Sequence, residues 1–287
     1  MKWLIINADD LGSDAQRNKG IFKAIEAGIV KSVSILPNGP ATKDAIRLIK
    51  SMEDKKISIG IHINLSEGMP ITKDLKSIVG VNGCFLSKPN ALRLLSTCHD
   101  IKLKKEIGQE MDAQIKSIIE AGVYIDHMDG HHHIHIMPAV IDIAIKKAKE
   151  YGIGWMRTPY EPFNMINTLE LDEMDIQEAR FFSQYAETAK VLIKDSGINT
   201  TDHFIGLYMK GRLSPEILRE VSKMLKDGIT EMMVHPGYKT ESDTPNPFTG
   251  FSTNKREDEL NALIHPDFLS SLKTHHVNLK SFIEVHG

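Results

Sequence analysis

Short apolar runs of β type alternate with helical stretches along this chain, and no other feature restricts its fold as much. Residues 3–7, 32–36, 57–65, 123–125, 154–157, 203–207, 230–234 and 278–282 have the composition of buried strands. Between them the spacing predicts helices over 18–27, 41–51, 139–149, 169–194 (whole or in two pieces), 215–225 and 258–272. A long helix runs from Ile101 towards Gly122, with Ile101, Ile107, Met111, Ile115, Ile118 and Ile119 on one face. Pro138 suits the first turn of the helix that follows the fourth strand. Seven or eight such units, with no repeat or linker, predict a single α/β domain over residues 1–287. Parallel strands with right-handed crossovers would close it into a TIM-like (β/α) barrel, irregular or seven-stranded. An open doubly wound sheet is the competing arrangement, but no Gly-x-Gly-x-x-Gly follows the first strand. Residues 66–98 lack periodicity except near 90–95 and are expected to form an insertion or lid.

Composition excludes several classes. The net charge is -3 and the basic runs fall on helix faces, which argues against a nucleic-acid footprint. Cys84 and Cys98 are the only cysteines, so neither a disulfide framework nor a thiolate zinc site is expected. Asp9 and Asp10 interrupt the first apolar run before a signal-peptide core is complete. No apolar run reaches the ~18 residues of a membrane span. A cytoplasmic enzyme is the expectation.

A barrel gathers the polar residues of its strand ends on one rim. The first strand ends Asn7-Ala8-Asp9-Asp10, which reads equally as a helix cap or as a pair of working carboxylates. In the third strand, Ile59, Ile61, Ile63 and Leu65 alternate with Gly60, His62 and Asn64, so His62 should face the interior. The fourth strand leads into Asp126-His127-Met128-Asp129-Gly130-His131-His132-His133-Ile134-His135, which holds five of the thirteen histidines. Arg157 closes the fifth strand, where a surface ion pair is the commoner role, and His235 follows the seventh. Neutral imidazoles beside carboxylates suit a divalent transition metal or a proton transfer. With no nucleophilic Ser or Cys motif, the economical chemistry is a metal-bound water attacking a carbonyl or phosphoryl group.

The segments Asn7-Ala8-Asp9-Asp10-Leu11-Gly12, Gly60-Ile61-His62-Ile63-Asn64-Leu65, Asp126 to His135 and His235-Pro236-Gly237 together resemble the YdjC-like carbohydrate deacetylases, a family that includes chito-oligosaccharide deacetylases. The resemblance runs in order from residue 3 to about 237 and implies a barrel like those of the polysaccharide deacetylases. It implies metal ligation by Asp10, His62 and His131, with Asp9 as general base. His235 is the candidate acid. Leu11 stands where the family usually has an aromatic residue, and His132 where glutamine is common. Asp126 and Asp129 suit roles behind a ligating imidazole, and Asn7, His133 and Arg157 suit support or substrate contact. The loops 66–98, 158–168 and 238–252 are candidates for walls of a sugar site.

The expected activity is removal of N-acetyl groups from an amino sugar or short chito-oligosaccharide. The expected cofactor is one divalent ion, Mg2+ or Zn2+. A small carbohydrate is the expected partner, with no nucleic acid and no membrane, and a homodimer is an admissible assembly. The alternatives are a barrel phosphoesterase or sugar isomerase using a similar metal, or a non-catalytic metal- or sugar-binding module. Phosphoesterases and isomerases usually need more carboxylates, a second ion or an active-site lysine, and the sequence places no lysine clearly at the rim.

Overall fold

The computed structural model describes the chain except for residues 53–55, 99, 241–247, 249–252 and 286–287. Its centre is β1 (Lys2–Leu11), a strand with no exposed residue. Around it lie β2 (Ser32–Ile35), β3 (Ser58–Ile63), β4 (His127–Gly130), β5 (Trp155–Met156), β6 (His203–Ile205), β7 (Gly228–Val234) and β8 (Val277–Lys280). Hydrogen-bonded order is β5-β4-β3-β2-β1-β7-β6, and every pairing between these strands is parallel. β8 lies off this path, against Lys2 to Ile5 of β1, while β2 takes Asn7 to Leu11.

The two ends of the path, β5 and β6, are not hydrogen-bonded to each other. An isolated bridge from Trp155 to Asn199 lies on that side. The barrel is therefore the irregular, seven-stranded kind with an extra strand at its base, and not a closed eight-fold one. Helices α1 (Ala15–Glu26), α2 (Thr42–Lys50), α3 (Lys88–Thr97), α4 (Ile101–Glu120), α5 (Ile141–Glu150), α6 (Glu173–Asp195), α7 (Pro215–Met224), α8 (Asn254–Leu263) and α9 (Pro266–Thr274) are accompanied by 3-10 turns at His131–Ile136 and Phe282–Glu284. None is long and apolar enough to cross a membrane.

Strand alternation sorts the residues into two sets. Leu4, Ile6, Ala8, Val33, Ile35, Ile59, Ile61, Ile63, Met128, Met156, Met232 and Val234 point outward into the main core under the helices. Their neighbours point into the barrel. At its base Ile5, Trp155, Phe282 and Val285 form a separate apolar plug. Above the plug the interior is polar and buried: Asn7, Ser32, Ser34, His127, Asp129, Arg157 and Glu231. Gly60 belongs here for a steric reason. A Cβ at that position would come within 2.2 Å of the His127 ring, so only glycine leaves room for the imidazole.

Several boundaries differ from expectation. Residues 123–125 are not a strand; β4 is His127–Gly130, inside the histidine cluster, because its pairing with Gly60 to Ile63 starts there. Pro138 lies in the turn before α5 and not in its first turn. The stretch 258–272 is two helices, broken before Pro266, where a proline cannot continue the first. On α4, Ile101 and Ile119 are exposed, while the buried face includes Glu106, Glu110 and Gln114. These polar residues, four positions apart, hold the chain that follows β3. Glu106 accepts from the backbone N–H groups of Lys76 and Ser77, and Glu110 from those of Ile71 and Thr72. Gln114 pairs with both backbone groups of Asn64.

Candidate metal and catalytic site

A regular strand would turn Asp9 and Asp10 to opposite faces. Here the register between β1 and β2 shifts between Ala8 and Leu11, and Asp10 takes a left-handed backbone with φ of 66°. This bulge turns both carboxylates to the interior, a device common beside active sites. Asp10 Oδ1 then lies 2.8 Å from His131 Nδ1 and 3.3 Å from His62 Nε2. The ligand atoms of Asp10, His62 and His131 all fall within 4.8 Å of one another, and all three residues are buried.

These residues fit a divalent ion, and the reason lies behind them. His62 Nδ1 donates to Asp129 Oδ1 at 2.7 Å, which turns Nε2 towards Asp10. His131 Nε2 meets Glu67 Oε2 at 2.8 Å, which leaves Nδ1 on the same side. A carboxylate behind each imidazole fixes its tautomer and raises its basicity, as metal ligands require. Burial opposes charge on His62, but Asp129 and Asp10 outweigh it and push its pKa up to about 10. His131 is raised too, with Asp10 and Glu67 overcoming burial. Burial likewise opposes the charge of Asp10, yet His131, His62 and Arg17 hold it well below the usual carboxylate range. The site favours positive charge at this point.

Asp9 has different surroundings. Arg157 clamps it with two bonds of 2.7 Å, and Asn7 Nδ2 donates to Oδ1 at 2.8 Å. Arg157 is no surface ion pair. It is buried and also reaches Asp129 at 2.8 Å and Glu231 at 2.7 Å. Burial lowers an arginine's pKa, but three carboxylates hold this one well above its ordinary value. Glu231 goes the other way: burial raises it, and its Oε2 has no hydrogen-bond partner among the described residues.

The remaining expectations divide. Asp129 lies behind His62. Asp126 lies behind His127 instead of His62 or His131: it holds His127 Nδ1 at 2.6 Å and the backbone N–H of Ile59, and His127 belongs to the layer below with Asn7. His133 and His235 line the same pocket as Asp9, Asp10, His62 and His131. Burial pulls both below the ordinary histidine range, helped by Arg157 for His133 and by Arg256 for His235. His132 bonds Ser66 Oγ at 2.9 Å, and His135 the backbone oxygen of Arg157 at 3.0 Å.

Segment 66–98 lends Glu67 and Lys88 to the pocket, and Phe248 comes from the third expected wall. Most of 238–252, including Pro245, Pro247 and Phe251, lies outside the described residues. Loop 158–168 does not reach this pocket; it borders a separate apolar cleft beside β6. Glu67, Arg17 and Glu231 carry no motif that would have singled them out. Two lysines do line the rim, contrary to expectation. Lys88 and Lys210 each pair with Glu178 of α6 at 2.7 Å.

The chain matches the YdjC-like protein family over residues 3–274. It is 33% identical to a carbohydrate deacetylase of Halalkalibacterium halodurans, covering 83% of this chain and 86% of that one. It is 30% identical to a carbohydrate deacetylase of Thermoanaerobacter pseudethanolicus, covering 98% of each. In fold it resembles the crystal structure of an Enterococcus faecalis protein named for cellobiose-phosphate cleavage, with a TM-score of 0.75, 22% identity and 98% of each chain covered. A match over nearly the whole chain, in relatives of the same length, shows that this protein belongs to the YdjC-like family.

Proposed function

We propose that the protein removes an N-acetyl group from an amino sugar or short chito-oligosaccharide, using one divalent ion held by Asp10, His62 and His131. The observation that carries this reading is the division between the adjacent carboxylates. Asp10 joins the three-residue ligand group, while Asp9 is clamped by Arg157 at the edge of the same pocket. The relatives named carbohydrate deacetylases supply the substrate class. A divalent ion bound there supplies Lewis acidity, which activates water and polarises the acyl oxygen. Two imidazole donors favour Zn2+ over Mg2+, which prefers oxygen ligands.

Asp9 is the general base. Its Oδ1 accepts from both Asn7 and Arg157, whereas Oδ2 accepts one described bond, so a lone pair remains at Oδ2 to receive the proton. Arg157 keeps that carboxylate aimed. His235 is the candidate acid for the leaving amine. Because burial and Arg256 keep it neutral in the free protein, it must gain its proton during turnover before it can give one up. Segment 66–98, pinned by Glu106 and Glu110, acts as a lid that brings Glu67 to His131.

Acetate release from an N-acetylated chito-disaccharide, by protein stripped with chelator and then reloaded with Zn2+ or Mg2+, tests the reading. Turnover restored by metal is expected. No acetate from any N-acetylated sugar, together with hydrolysis of a phosphate monoester, would place the protein with the phosphoesterases instead.

A further inference from the structure

Of the histidines between His127 and His135, His133 alone makes no hydrogen bond among the described residues. Its position is costly to build. His132 and His133 both take left-handed backbone, with φ of 52° and 53°, a conformation that side chains with a Cβ rarely adopt. The His133 ring is 7% exposed and is held edge-on by two phenylalanines: Phe182 at 4.8 Å between centroids and Phe204 at 6.2 Å. A rigid, nearly buried imidazole with no partner is a group kept for something outside the protein.

The ring's two nitrogens differ. Nδ1 is sealed from solvent without a partner. Nε2 also lacks a partner but is not sealed, and the residue lines the pocket of the metal group. A sealed N–H without an acceptor is rarer in proteins than a sealed lone pair. The favoured tautomer therefore carries its proton on Nε2, as a donor towards the pocket. Phe182, Glu178, Lys88 and Lys210 line the same pocket, and Phe182 packs against the His133 ring. Phe182 is 1% exposed and backs the imidazole, while the polar tips in the pocket suit the hydroxyls of a sugar.

Building on the deacetylase reading above, we propose that His133 determines substrate specificity: its Nε2–H donates to a hydroxyl of the bound sugar. His133 is thus a substrate-binding group and not a fourth metal ligand.

The test compares wild type, His133→Phe and His133→Gln on an N-acetylated chito-disaccharide and its monodeoxy analogues, with metal content measured for each. His133→Phe keeps the packing against Phe182 and Phe204 and removes the donor. It should retain its metal and lose about 10-fold or more in kcat/KM, mostly through KM. One monodeoxy analogue should cost the wild type a similar factor and His133→Phe nothing further, because the pair is already broken. His133→Gln, with an N–H at similar reach, should recover part of the loss. Should His133→Phe not fold, His133→Asn suits the left-handed backbone while falling short of the sugar, and it should show the same loss. Loss of metal, an equal loss on every analogue, or no loss at all would each overturn the proposal alone. A wild type that releases no acetate would overturn the deacetylase reading and this proposal with it.

Discussion

Arg157 takes both oxygens of Asp9, while Asp10 turns to His62 and His131, so adjacent and chemically identical residues have different surroundings and, under the proposed reading, different work. Their losses should differ in kind. Asp10→Asn, His62→Ala and His131→Ala should each lower bound metal and activity in folded protein. Asp9→Asn should keep the metal and lose turnover. Elemental analysis beside the acetate assay checks this, and full metal occupancy in His62→Ala or His131→Ala would remove that residue from the ligand set. His235 is tested by its leaving group. An amine departs poorly unless protonated, whereas an activated phenolate needs no acid. His235→Ala should therefore lose ~10²–10⁴-fold on an N-acetyl sugar and much less on an activated aryl acetate, with metal content unchanged. An equal loss on both substrates would make His235 a positioning group.

Among the elements, β3 shows how closely the layers depend on one another. Its inward positions run from Gly60, which makes room for His127, to His62, which reaches Asp10. Gly60→Ala should force the His127 ring or the strand to move and cost ~1–3 kcal/mol, read as a lower midpoint in urea or thermal unfolding. Since the clash lies below the metal group, metal affinity should fall far less than stability. A variant as stable as wild type would show that the polar layer can shift without cost. The α4 residues Glu106, Glu110 and Gln114 act at the same scale. Without them the chain after β3 would leave backbone N–H groups unpaired, and Glu67 would not be delivered to His131.

Across the whole molecule, the open side between β5 and β6 is spanned by Glu161. It lies in the loop after β5, and its Oε2 accepts from the backbone N–H groups of Gly206 and Leu207 after β6, at 2.9 and 2.6 Å. Burial outweighs these bonds and pushes its pKa from 4.5 up to about 7. Between those values the folded state holds the proton more tightly than the unfolded chain does. Its contribution to stability is therefore complete below pH 4.5 and is lost as pH rises to about 7, by on the order of 3 kcal/mol. Glu161→Gln should flatten that part of the curve. Urea unfolding of both proteins at pH 5 and pH 8 gives the comparison, and parallel curves would show that Glu161 is charged throughout.

The strand-and-helix order, the inward face of β3 and the grouping of Asp10, His62 and His131 on one rim were legible in the sequence, because periodicity and strand-end placement are local properties. Asp10, His62 and His131 are separated widely along the chain, yet the expected rim brings them together. What the sequence could not show were the partners. Nothing local marks Glu67 as the group behind His131, or makes Arg157 a buried clamp on Asp9, or separates Asp126 from the ligand group while leaving Asp129 in it. Such pairings depend on which strands become neighbours and in what register. A bulge of one residue in β1 decides whether Asp10 faces His62 and His131 or the helices. The residue types and their order came from the sequence alone. Their proposed division into ligand, base and support rests on tertiary structure, because burial and neighbouring charge, which set the protonation of a carboxylate or imidazole, exist only once the chain has closed around them.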